Sequence, residues 1–151
     1  MFLPGMAFGD REKWWAPGET RSSPHEGVDL YCYRAADGKD HFLRAGMKVP
    51  HLISGKVIAI CRDFLGNSVF VMGADGLFGS LLAVYGHIAA RDICGDMVYK
   101  GDEAGVIASS TGAVPSHLHL SLLKIPAEFS VENLDWKYLN KCHGNLYLNP
   151  F

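Results

Sequence analysis

Seventeen glycines and seven prolines cut this 151-residue chain into short pieces, and that punctuation disfavours long helices. Between the breaks lie short runs rich in β-branched and aromatic residues. The runs at 27–34, 56–61, 68–73, 81–87, 106–109 and 117–123 predict strands. Asp37-Gly38, Leu65-Gly66-Asn67 and Ala74-Asp75-Gly76 are turn signals between them. This spacing predicts an antiparallel, mainly β domain with little helix. The best helix candidate spans 128–140, capped by Ser130 with Asn133 and Leu134 in its first turns; the alternative there is an ordered loop. Residues 1–24, rich in Gly, Pro and aromatics, predict a loop segment packed on a body formed by 25–151.

A chain of this length buries roughly 68–70% of its unfolded surface, enough for a core of its own. With 48% hydrophobic and 20% charged residues it is not a disordered sequence. Net charge is −2 and no basic stripe is present, which argues against nucleic acid as a partner. No apolar run reaches the roughly 20 residues of a membrane span. Met1-Phe2-Leu3-Pro4-Gly5 has neither a basic start nor a sustained apolar stretch, so it does not read as a signal peptide. Cys32, Cys61, Cys94 and Cys142 are widely spaced, which excludes a cysteine-based zinc finger. Cys32 and Cys61 read as buried thiols. A Cys94–Cys142 disulfide is left open by the sequence.

The histidines carry the functional signal. In His25-Glu26-Gly27-Val28-Asp29, an imidazole and a carboxylate flank a glycine that allows a sharp turn, so both can meet one ion. A period of two then places Asp29, Tyr31 and Tyr33 on one strand face. In Ser116-His117-Leu118-His119-Leu120-Ser121-Leu122 the alternation is strict, and His117, His119 and Ser121 share a face. Two adjacent imidazoles either look into solvent or share a site with a metal or hydrogen-bond partners. Tyr85-Gly86-His87 adds a third histidine beside a glycine, a sign of close approach. Each motif alone is better explained structurally; together they supply two His and one carboxylate, the ligand set of a catalytic zinc with one open position. His51, His41 and His143 read as structural or solvated. Glu26 reads as pointing to solvent or pairing with Arg21, and no H-E-x-x-H helix is present. Trp14 and Trp15 read either as packing on the body or as a wall of a substrate cleft.

In order and spacing these motifs resemble the lysostaphin/LytM-type zinc endopeptidases of peptidoglycan, which carry H-x-x-x-D, then Tyr-x-His, then H-x-H. The likeness extends to Ala45-Gly46-Met47-Lys48-Val49-Pro50 with Ser54-Gly55-Lys56-Val57, similar to a pair of strands after the first motif. It includes Val98-Tyr99-Lys100-Gly101-Asp102, Ser110-Thr111-Gly112 before the H-x-H, and Asn149-Pro150 at the end. It runs from about residue 24 to 151. The chain departs in a short loop 113–116, with Ser116 where Pro is common, and in lacking a Tyr shortly before His25.

The resemblance implies a LytM-type sheet with a groove over it, rimmed by loops of the 62–82 region with Phe64, Phe70 and Phe78. It implies one Zn2+ per chain on His25, Asp29 and His119, with His117 and His87 flanking the attacking water. It further implies hydrolysis of stem or cross-bridge peptides in the bacterial cell envelope, periplasmic or secreted. The alternatives are a non-catalytic binding or regulatory module, and a zinc enzyme for another amide or ester.

Overall fold

The structure is a computed structural model and describes residues 2–73, 81–91, 93–126, 129–132, 134–141 and 146–151. Among these, eleven strands and one helix form: β1 Val28–Leu30, β2 Cys32–Arg34, β3 Asp40–Phe42, β4 Lys48–Pro50, β5 Gly55–Arg62, β6 Asn67–Gly73, β7 Leu81–Ala89, β8 Met97–Val98, β9 Glu103–Ile107, β10 Leu118–Lys124, α1 Trp136–Lys141 and β11 Leu146–Leu148. Nine strands make one antiparallel sheet with the order β1-β10-β7-β6-β5-β8; β11 joins β10, and β9 links β7 to β4. β2 and β3 form a separate hairpin closed at Asp37-Gly38. This is the mainly β fold that the spacing of the runs predicts.

The central strands are covered on both faces, which explains their nearly unbroken apolar sequence. Val69, Val71, Ala83 and Tyr85 face one core together with Val28, Val57, Ile88 and Leu120. Phe70, Leu82 and Val84 face the other, under Ile125, Leu134 and Leu139. Register then brings distant motifs side by side. β1 sets Asp29 opposite His119, and β7 sets Gly86 opposite His119 from the other side. The three histidine motifs thus meet on neighbouring strands.

Several elements differ from expectation. The 27–34 run is two strands, because the chain leaves β10 at Tyr31, whose carbonyl accepts from Leu43 N–H (2.8 Å) and whose ring stacks on Trp14. The shared face of Asp29, Tyr31 and Tyr33 is broken there. The expected 106–109 strand is β9, displaced toward the N-terminus to Glu103–Ile107. The helix is only Trp136–Lys141; Asp135 caps it, its carboxylate accepting from Tyr138 N–H (2.6 Å). Ser130 instead closes a local turn with Glu132 N–H. Residue 128, Asn133, Ala74-Asp75-Gly76, Phe78, Cys142 and His143 lie outside the described residues. Cys32 is buried, Cys61 only half-buried, and Cys94 an exposed thiol that forms no disulfide among the described residues.

Candidate metal centre

His25 Nε2, Asp29 Oδ1 and His119 Nδ1 form a small triangle. Its edges are 3.2 Å (His25–His119), 3.2 Å (His25–Asp29) and 2.8 Å (His119–Asp29). All three residues are buried, and together they make a cluster fit to hold a metal ion. The sequence explains how they arrive. Asp29 rides on β1 and His119 on β10, paired in register. His25 sits one turn earlier, and Gly27 lies between them. The chain bends at Glu26-Gly27 as expected, although Gly27 does not adopt a left-handed backbone. It serves close approach instead: an added Cβ would fall against the Leu120 carbonyl, 2.5 Å from Ser121 Oγ and 2.8 Å from His119 Nε2.

Outer hydrogen bonds set the imidazoles. His25 Nδ1 lies 3.1 Å from the Ala7 carbonyl, which can only accept, so Nδ1 carries the proton and Nε2 the lone pair. His119 Nε2 lies 2.8 Å from Ser121 Oγ, a partner able to accept its proton and leave the lone pair on Nδ1. The triangle thus joins two imidazole lone pairs and a carboxylate oxygen at repulsive range, unless a cation or a proton sits among them. Burial alone would raise the Asp29 carboxyl. His119 and His25 outweigh it and hold the group well below the ordinary carboxylate range. A tetrahedral Zn2+ with bonds of about 2.0–2.2 Å has ligand edges of roughly 3.3–3.6 Å, close to the triangle seen. Donor types, burial and spacing therefore fit the ion.

Two further histidines border the triangle. His117 Nδ1 lies 2.8 Å from the Pro115 carbonyl, leaving Nε2 as the acceptor nitrogen. That Nε2 is buried without a hydrogen-bond partner among the described residues, 3.6 Å from Asp29 Oδ1. Burial, opposed by Asp29 and assisted by His87, pushes the His117 ring down to about 4, so it is neutral at neutral pH. The β10 face is thus internal, not solvent-facing. His87 packs against His117, ring centroids 4.7 Å apart, and has the left-handed φ of 64°. For a residue with a Cβ that conformation is strained.

Asp63 is the partner that holds it. Its Oδ2 accepts from His87 N–H (2.9 Å) and Ser68 Oγ–H (2.7 Å), and its Oδ1 lies 3.1 Å from His87 Nδ1. Oδ1 also accepts from the amides of Leu65 and Gly66. Burial would raise this carboxyl, but His87 and these amides hold it below the usual range.

A cleft of about 490 Å³ opens over the triangle, with Trp15, Phe64 and Trp136 among its walls and Arg62 and Glu26 at its polar points. Trp15 stacks on His117, as expected of a cleft wall, whereas Trp14 packs between Tyr31 and His117. Arg21 pairs with Asp29 (2.9 Å) rather than with Glu26. His41 is exposed on β3, and His51 is fully buried away from the cleft, edge-on to Tyr85. Sequence reading missed Asp63, Arg21 and Trp136. No local motif marks them, since each acts through pairing set by the sheet.

No family model and no curated protein matches the sequence. Solved structures do match its fold. The catalytic domain of lysostaphin from Staphylococcus simulans is 23% identical, over 84% of this chain and 82% of that one, with a TM-score of 0.58. The catalytic domain of a prophage-encoded M23 protein from Enterococcus faecalis is 24% identical, over 82% and 85%, with a TM-score of 0.51. A zinc-containing peptidase from Vibrio cholerae is 19% identical, over 77% and 31%, with a TM-score of 0.52. The chain spans 44% of the longer lysostaphin chains it matches. The fold is thus that of lysostaphin-type M23 peptidase domains, in agreement with the resemblance of the motifs.

Proposed function

We propose that this chain is a zinc endopeptidase that hydrolyses peptide bonds in the stem or cross-bridge peptides of bacterial peptidoglycan. One Zn2+ per chain would be held by His25, Asp29 and His119. The observation that carries the reading is the buried triangle of converging donor atoms, with the partnerless Nε2 of His117 beside it. When bound, zinc would polarise the scissile carbonyl and lower the pKa of the attacking water from 15.7 toward about 7.

The remaining chemistry belongs to the chain's own residues. His117 Nε2 accepts the proton of the attacking water, because Pro115 holds the other ring proton. His87 in its doubly protonated form, with Nδ1 facing Asp63, donates from Nε2 to the developing oxyanion or hands that proton to the leaving amine. Trp15 and Trp136 exclude water and bound the groove in which an extended peptide lies. Such a substrate belongs to the cell envelope, so the site of action is periplasmic or extracellular. Among the described residues no helix is long and apolar enough to cross a membrane.

The test is metal content paired with activity in two variants. His119→Ala loses both zinc and muropeptide hydrolysis, while His117→Ala keeps zinc and loses hydrolysis. A His117→Ala protein that works at the wild-type rate would overturn the role given to it. Carefully purified wild type without zinc would favour a binding module.

A further inference from the structure

The N-terminal segment does more than cover the candidate metal centre. It is clipped to the first motif by backbone hydrogen bonds: Asp29 N–H to Met6 O, His25 N–H to Asp10 O, and Gly9 N–H to His25 O, each 2.9 Å. Met6 is fully buried. The segment also supplies the side-chain donors that face Asp29 from behind. Asp29 Oδ2 accepts from Trp14 Nε1–H (2.9 Å) and from Arg21 Nη2–H (2.9 Å). The Arg21 guanidinium is itself fixed: Nη1 donates to the carbonyls of Gly5 (3.0 Å) and Glu12, and the group lies 4.9 Å over the Trp15 ring. Asp29 Oδ1, by contrast, faces the two histidines.

We propose that Trp14 and Arg21 are positioning residues that occupy Oδ2 of Asp29 and confine it to metal binding through Oδ1 alone, so that residues 5–21 complete the metal centre. The inference rests on the zinc-binding reading above. A carboxylate with both oxygens free can swing or chelate through both, taking up coordination positions that a reacting water and carbonyl need. Two fixed donors on Oδ2 remove that freedom. Partners of this kind, one shell out from a metal, typically change metal affinity about 10–100-fold when removed.

The experiment compares metal-free wild type with Trp14→Phe, Arg21→Met, Arg21→Lys and the Trp14→Phe/Arg21→Met double variant. Trp14→Phe keeps the ring and deletes one N–H; Arg21→Met keeps an apolar stem and deletes the guanidinium. Zinc affinity is read by competition with a chromophoric chelator, coordination by the visible spectrum of the cobalt(II)-substituted protein, and folding by thermal melting without metal. Zinc binding weakens about 10-fold in each single variant and about 100-fold in the double, and Arg21→Lys recovers part of the loss. The cobalt bands of the double variant lose intensity as Asp29 binds through both oxygens.

A folded double variant with wild-type zinc affinity and an unchanged cobalt spectrum overturns the proposal. Should Arg21→Met not fold, Trp14→Phe decides alone, and unchanged affinity there overturns it equally. Wild type that takes up neither metal sinks the zinc reading as well. Wild type that binds zinc, with variants that bind it alike, sinks only this inference.

Discussion

Replacing Asp63 by Asn changes one oxygen to an amide nitrogen and removes a charge, with almost no change in shape. The carboxylate accepts from the amides of Leu65, Gly66 and His87 and from Ser68 Oγ, and lies 3.1 Å from His87 Nδ1. Asn can keep its oxygen on the Leu65 and Gly66 side, which leaves its NH2 facing the His87 N–H, donor against donor. The reverse orientation places the NH2 against two amides and is worse. At least one hydrogen bond to a charged acceptor is lost and a buried N–H is orphaned, a cost of about 2–3 kcal/mol. For a chain of this size that lowers the melting temperature by about 4–12 °C.

The strained φ of His87 then loses its anchor, and the ring its orientation. If His87 acts as a positioned donor, kcat falls by about 10²–10³ while zinc content stays at the wild-type level. The assay is muropeptide turnover for Asp63→Asn, His87→Ala and the double variant, each with its melting curve and metal content. Because Asp63 acts through His87, adding Asp63→Asn to His87→Ala costs no further activity. A folded Asp63→Asn protein with wild-type kcat, or losses that simply multiply in the double variant, would show that Asp63 does not act through His87.

Other perturbations test other parts of the account. Gly27→Ala pushes a methyl group into the Leu120 carbonyl and His119, so it destabilises the fold by about 1–3 kcal/mol and weakens zinc binding; chemical denaturation and chelator competition read both, and normal values would contradict the close packing. Trp15→Ala removes a cleft wall stacked on His117, so KM for a defined muropeptide rises about 2–10-fold with little change in melting temperature; unchanged KM would assign Trp15 to packing alone. His51 is buried with both ring nitrogens unpartnered among the described residues, and burial, only partly offset by Asp102, holds its pKa below the usual value. The unfolded chain therefore binds a proton at higher pH than the folded one. Stability from this residue is complete above about 6.5 and falls as pH drops toward the lower folded value. His51→Phe flattens that decline in urea midpoints measured from pH 7.5 to 5, and an equal slope in both proteins would exclude His51 as its source.

The parts of the site that were legible in the sequence are the ones written locally. His25 and Asp29 lie four residues apart, and His117 and His119 alternate on one strand. The apolar runs of β5, β6 and β7 likewise declared themselves, since strands sandwiched between two cores need apolar residues on both faces. What stayed hidden depends on long-range register or on competition between neighbours. Asp63 reaches His87 across 24 positions, and Trp14 reaches Asp29 across 15. Arg21 had two acidic residues within reach, Glu26 and Asp29, and burial rather than spacing decides for Asp29. The short helix starts at Trp136, capped by Asp135, and not near Ser130, because the capping side chain that wins is the one beside the packed Trp136 and Leu139.

The central claim is metal-dependent hydrolysis of wall peptides at the His25, Asp29 and His119 site. Its most direct measurement is mass spectrometry of products from defined peptidoglycan fragments, both Gly-Gly and D-Ala cross-linked, incubated with zinc-loaded protein, with chelated protein, and after zinc is restored. Cleavage occurs at one class of peptide bond, is lost on chelation and returns with one equivalent of zinc. Intact fragments in all three arms, or cleavage that survives complete removal of the metal, would contradict that claim.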